Sequence, residues 1–164
     1  MISPADVQKV AKWAETENVR FRVFLKNHVD PDDLDEKFHA LHQELFASYD
    51  CRQCGNCCRT YSTSLEDNEI RAIASYLNLS VPAFTEQYLT KNSDGYIIKP
   101  PCPFHGTDGK CAIEEHKPAE CRGFPYTDRP DRWASLYSIL DFTEQCPIVF
   151  EMLERLKDIY HFRR

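Results

Sequence analysis

Four cysteines fall within eight residues at Cys51, Cys54, Cys57 and Cys58, and four more follow singly at Cys102, Cys111, Cys121 and Cys146. Two-residue gaps let successive sulfurs bend back around one small centre, and thiolates are soft ligands for zinc and iron. A stretch that wraps a metal uses up regular backbone. Residues 51–59 are therefore expected to form a loop, with Gly55 free to adopt positive φ. Cys57 and Cys58, being adjacent, are expected to project apart and to serve different metals, or one of them none.

An even number of cysteines also fits a disulfide framework, which eight could build in 105 ways. The amino terminus lacks the basic start and apolar stretch of a secretory signal, and no apolar run approaches the roughly 20 residues that cross a bilayer. The protein is thus expected to be cytoplasmic, where thiols stay reduced. The chain has 164 residues, 42% of them hydrophobic, with ten Phe, which suits a globular core. A formal charge of −6 argues against nucleic acid or an anionic membrane as partner.

Residues 1–50 carry no cysteine. Ser3-Pro4 is a helix start, followed by Val7, Val10, Ala11 and Ala14 at helical spacing. Val19–Leu25 alternates like a strand, yet Phe21, Phe24 and Leu25 share a helical face, and helix is preferred. Asp30-Pro31 ends this element and caps the next, whose stripe is Leu34, Phe38, Leu41 and Leu45. Further on, Ser64-Leu-Glu-Asp67 resembles a capping box opening a third helix with Ile70, Ile73, Ala74 and Leu77 on one side. A fourth starts after Ser80, with Pro82 in its first turn. Asn92–Gly95 reads as a turn and Tyr96–Lys99 as a short strand. Residues 100–130, rich in Pro, Gly and Cys, are expected to be irregular. A last helix follows Cys146-Pro147 with Val149, Leu153, Leu156 and Ile159 inward. The expected fold is mainly α. A helical hairpin (residues 1–50) packs on an irregular Cys-rich metal-binding domain (residues 51–164), which has helices, at most short strands and a C-terminal helix.

Three cysteines two residues apart with a remote fourth, often followed by proline, match ferredoxin-type iron–sulfur loops, and Cys102-Pro103 and Cys146-Pro147 both qualify. Zinc stays open as well, because Cys102-Pro-Phe-His105 has knuckle spacing with histidine as second ligand. The eight thiols suffice for one or two centres.

The ordered set Cys-x2-Cys-x2-Cys-Cys, Cys102-Pro-Phe, Cys111-x-Ile113 and Cys121-Arg122-x-Phe124-Pro125 resembles the CxxCxxCC family, the YkgJ-type zinc- or iron-chelating domains, over about residues 50–147. The resemblance implies metal binding at the cysteines and an irregular helical domain. A flagellin lysine-methylating protein carries a similar cluster, an analogy that points to an accessory redox or protein-modification role. Two positions depart from the family pattern. Lys117-Pro118 replaces the usual Arg-Pro, keeping the charge but losing the planar fork. His105 replaces an apolar residue and adds a candidate ligand.

Other candidates are weaker. Asp35, His39 and His42 have helix-face spacing for a metal, but Phe38, Leu41 and Leu45 beside them assign that face to packing. His116 is expected to be exposed beside Glu114 and Glu115. Arg122 is a candidate donor to sulfur or a balancing charge, and Phe124, Pro125 and Tyr126 are expected to wall the site. No phosphate loop, nucleophile elbow or zinc-protease motif occurs.

The sequence thus predicts a cytosolic cysteine-cluster protein. Cys51, Cys54, Cys57, Cys58, Cys102, Cys111, Cys121 and Cys146 hold an iron–sulfur cluster or zinc, accessory to redox or protein-modification chemistry. The alternative is a structural zinc module that engages a protein partner through its N-terminal helices. Whether the chain is catalytic is left open.

Overall fold

The computed structural model describes residues 1–163 and is mainly helical, with one small sheet. The chain divides into two compact units, one made of Met1–Asp50 with Pro125–Arg164 and the other of Cys51–Phe124. Among the described residues, no helix is long and apolar enough to cross a membrane.

The first unit is built on α1 (Val7–His28) and α2 (Pro31–Phe46). Val7, Ala11, Phe21 and Leu25 are buried along α1, so the ambiguous Val19–Leu25 stretch is helix. Ser3-Pro4 sits in a turn ahead of it, and the helix proper begins at Val7. Asp30 caps α2, its carboxylate accepting from the amides of Asp32 and Asp33, and Pro31 fits the first turn. Leu34, Phe38, Leu41 and Leu45 are all buried, as their spacing requires.

Later in the chain, α8 (Leu136–Phe142) and α9 (Pro147–Ile159) complete this unit, with α1 and α2 both packing on α9. Lys157 on α9 is wholly buried. Its ammonium donates to Glu17 at 2.9 Å and Glu154 at 2.6 Å, and Arg163 reaches the same two carboxylates. A buried ammonium is tolerated because these acids replace its water.

The second unit starts with α3 (Cys51–Cys54) and α4 (Asn56–Thr60), where a loop was expected. The reason is geometric, since a Cys-x-x-Cys gap is close to one helical turn. Gly55 breaks the two turns apart with φ of 55°, as its position in the cysteine block predicts. Next, β1 (Thr63–Leu65) pairs antiparallel with β3 (Gly95–Ile98), which also pairs with β2 (Thr90–Asn92), giving the order β1-β3-β2. Ser64 therefore lies in a strand opposite Ile97, and the capping box shifts to Glu66 and Glu69 at the start of α5 (Asp67–Tyr76). α6 (Val81–Tyr88) is capped by Ser80, whose hydroxyl accepts from the Ala83 amide. Leu65, Ile70, Ile73, Ala74, Phe84, Ile98, Phe104 and Ile113 form the core, and Cys102 and Cys111 pack against it.

Candidate metal centre

The side of the second unit that carries the thiols is assembled from three chain segments. The first is α3 and α4, holding Cys51, Cys54, Cys57 and Cys58. The second is the turn from Cys102 to Cys111. The Cys102 amide donates to the Cys58 carbonyl at 2.7 Å, fixing these two cysteines' backbones together. Residues 104–112 fold back on themselves around Asp108-Gly109, with His105 and Cys111 in an antiparallel bridge and the Ala112 amide donating to the Phe104 carbonyl. Gly109 has φ of 79°, and a Cβ there would lie 2.6 Å from the Arg52 carbonyl oxygen, so the turn abuts α3 backbone to backbone.

The third segment is α7 (Ala119–Gly123), which carries Cys121. Two carboxylates position it. Glu69 accepts from its own helix's Glu66 amide at 2.9 Å and from the Ala119 amide at 2.7 Å. Glu120 then accepts from the Ser64 amide at 2.6 Å, holding α7 against β1. As a result the Thr63 hydroxyl lies 3.1 Å from the Cys121 sulfur.

Six of the seven cysteines of this unit are half-buried and Cys51 is exposed. Their electrostatics differ sharply. A hydrogen bond from the Cys57 side chain draws the Cys58 thiol down to about 6; burial opposes this, while His105, Lys117 and Arg59 assist. Cys57 and Cys58 thus interact directly rather than pointing apart. Burial pushes the other thiols up: Cys102, Cys111 and, to about 11, Cys121. The Thr63 hydroxyl works against that rise at Cys121, while the neighbouring Cys102 and Cys58 add to it. Burial also works against the Lys117 ammonium, but Glu114 and the sulfurs of Cys111, Cys58 and Cys121 outweigh it and raise its pKa. Cys58 is thus the thiol most readily ionised, while burial favours the neutral form of Cys102, Cys111 and Cys121.

Lys117 is the cation that acts on Cys58, Cys111 and Cys121 together, with Arg59 also acting on Cys58. Arg122 donates instead to the Lys117 carbonyl and braces that loop. Thr63 escaped the sequence reading, and Lys117 entered it only as a departure from the family pattern, because their roles depend on where β1 and the 117–118 bend place them. The Asp108-Gly109 pair was a legible turn signal for the fold-back.

The remaining candidates have these surroundings. Cys146 is buried at the N-cap of α9, in the first unit. The Asp35 carboxylate is taken by the amides of Asp131 and Arg132, each at 2.7 Å. His39 pairs with Gln43, and His42 with the Thr127 hydroxyl at 2.9 Å. His116 is half-buried, its ring centroid 4.7 Å from that of Tyr76. Phe124 packs on Tyr61, while Tyr126 lies in the first unit beside Phe142.

Among the described residues, no three Cys, His, Asp or Glu side chains already stand in an arrangement that holds an ion. The donor chemistry nevertheless fits a thiophilic metal. The thiols are soft donors, Lys117 offsets thiolate charge, and His105 Nε2 is buried with no hydrogen-bond partner.

A small helical unit with thiols drawn from three segments toward one lysine defines a cysteine-rich chelating domain. The chain belongs to the CxxCxxCC family, "Putative zinc- or iron-chelating domain", whose profile matches residues 50–147, more than half of its length. No curated protein and no solved structure matches it.

Proposed function

We propose that the second unit is a thiolate module in which Cys51, Cys54, Cys57, Cys58, Cys102, Cys111 and Cys121 hold zinc or an iron–sulfur centre, and that metal binding completes its fold. The observation that carries this reading is the set of half-buried thiols of Cys58, Cys102, Cys111 and Cys121. They come from three separate segments: Cys58, Cys111 and Cys121 act on the ammonium of Lys117, and Cys102 is held to Cys58 through its backbone amide. When bound, the metal supplies cross-links among these segments, and the unit's own residues supply the deprotonated sulfurs and the balancing cation. In this reading the module is an accessory to redox or protein-modification chemistry.

Metal analysis with a visible spectrum on protein purified without air tests it. A brown protein identifies an iron–sulfur centre, and a colourless zinc-loaded one identifies structural chelation. Protein that takes up neither metal, or whose melting temperature is unchanged after verified metal loss, refutes the reading.

A further inference from the structure

The geometry points to His105 as a metal ligand: its Nε2 joins the sulfurs of Cys58, Cys102 and Cys111 as the nitrogen of a mixed sulfur–nitrogen site. This rests on the chelating role proposed for the second unit.

Three observations converge on that nitrogen. Nε2 of His105 is shielded from solvent and has no hydrogen-bond partner, which leaves its acceptor capacity open to an ion. The ring is also oriented. A Cβ on Gly55 would lie 2.7 Å from both Cε1 and Nε2, so this edge of the imidazole fills the space that the missing side chain leaves between Cys54 and Cys57. Finally, the backbone sets the neighbours. His105 and Cys111 are directly opposite in an antiparallel bridge, which sends both side chains to the same face with Cβ atoms about 4.5–5.5 Å apart.

Cys102 and Cys58 extend the set. The His105 amide donates to the Cys102 carbonyl at 3.2 Å, closing a turn in which Cys102 and His105 have the two-residue gap of a zinc knuckle. The Cys102 amide in turn donates to the Cys58 carbonyl. Three sulfurs and one imidazole are a complete tetrahedral set for zinc. Side-chain rotation is needed to close it, since no three donors already meet.

The test uses the full chain loaded with zinc alone and examined by X-ray absorption at the zinc edge. The expected result is a nitrogen shell at about 2.0–2.1 Å beside sulfur at about 2.3 Å, with the nitrogen shell lost in His105→Ala. A ring-nitrogen NMR spectrum of the unsubstituted, zinc-loaded protein needs no variant to fold, and is expected to show His105 bound through Nε2. Sulfur scattering alone in the unsubstituted protein, a nitrogen shell that survives His105→Ala, or a metal-free His105 ring each overturns the assignment while leaving cysteine chelation intact. Failure to bind zinc or iron at all overturns both.

Discussion

The contact between Gly55 and His105 can be measured as a coupling energy. Alanine at position 55 has two separate costs. Its φ of 55° is left-handed, and an L side chain there costs about 1–2 kcal/mol. Its Cβ would also lie 2.7 Å from two atoms of the His105 ring, roughly 1 Å inside ordinary contact distance (about 3.5–4.0 Å). Overpacking of this kind costs about 1–3 kcal/mol. The Arg59 guanidinium 3.1 Å away is the end of a flexible chain and can yield. Gly55→Ala alone is therefore expected to destabilise the second unit by about 2–5 kcal/mol. In the His105→Ala background only the backbone cost remains, so the cycle should return a coupling of about 1–3 kcal/mol, the second substitution relieving the first. Amide hydrogen exchange across α5, at matched metal content in all four proteins, reads the second unit directly. An equal cost of Gly55→Ala with and without the imidazole refutes the contact, and with it the orientation of the His105 ring on which its assignment as a ligand depends.

The other predictions concern carboxylates. Lys157→Met removes a fully buried ammonium while Arg163 still bridges Glu17 and Glu154, so urea unfolding should show a loss of about 1.5–3 kcal/mol, the worth of hydrogen bonds to charged groups; Lys37→Met, at the exposed Asp33 pair, should leave stability nearly unchanged. The Glu17 carboxyl is held down to about 2, chiefly by its hydrogen bond from Arg163 with Lys157 adding to it and burial opposing. Because the folded value lies below the ordinary 4.5, this contribution is complete above pH 4.5 and is lost as pH falls from there toward 2. Solvent screening limits it to about 1 kcal/mol, and Glu17→Gln should flatten the acid limb of the stability profile in that window. Glu69→Ala removes both a helix cap and the anchor of α7, so exchange in α5 should report a loss of about 1–2 kcal/mol.

The helices were legible where an apolar stripe and a capping residue agreed, as at Asp30 with Leu34, Phe38, Leu41 and Leu45, or at Ser80-Val-Pro82. The strand at Thr63–Leu65 was not. A three-residue strand has too few alternations to announce itself, and its identity comes from the partners Tyr96, Ile97 and Ile98 far along the chain. Local signals also misplaced the capping box by two residues, because Ser64 and Glu66 are both competent caps and only the sheet decides between them. At the thiol site, the cysteines were visible in one dimension and their inequality was not. Which sulfur ionises depends first on the hydrogen bond from Cys57 to Cys58, then on how far each thiol is buried and on the approach of His105 and Lys117, and the last two are tertiary facts.

That inequality bears on why such a unit would need a metal. The second unit runs only from Cys51 to Phe124, within the range of about 70–80 residues where one hydrophobic core rarely supplies more than about 3–5 kcal/mol. Its core is gathered on α5, α6, the sheet and the 102–113 segment, while five of its seven cysteines sit on α3, α4 and α7, elements of four or five residues. Helices that short have little stability of their own, since nucleation costs more than one turn of hydrogen bonds returns. The structure holds them through point contacts: the carboxylates of Glu69 and Glu120, the Cys102 amide on Cys58, and two glycines that let backbone and ring approach closely. Each such contact is worth about 1 kcal/mol, whereas a zinc ion bound by several of these thiols contributes on the order of 10 kcal/mol at neutral pH. The thiolates would then become the strongest bonds in the unit, tying the short helices α3, α4 and α7, which most lack any other source of order, to Cys102 and Cys111 on the core.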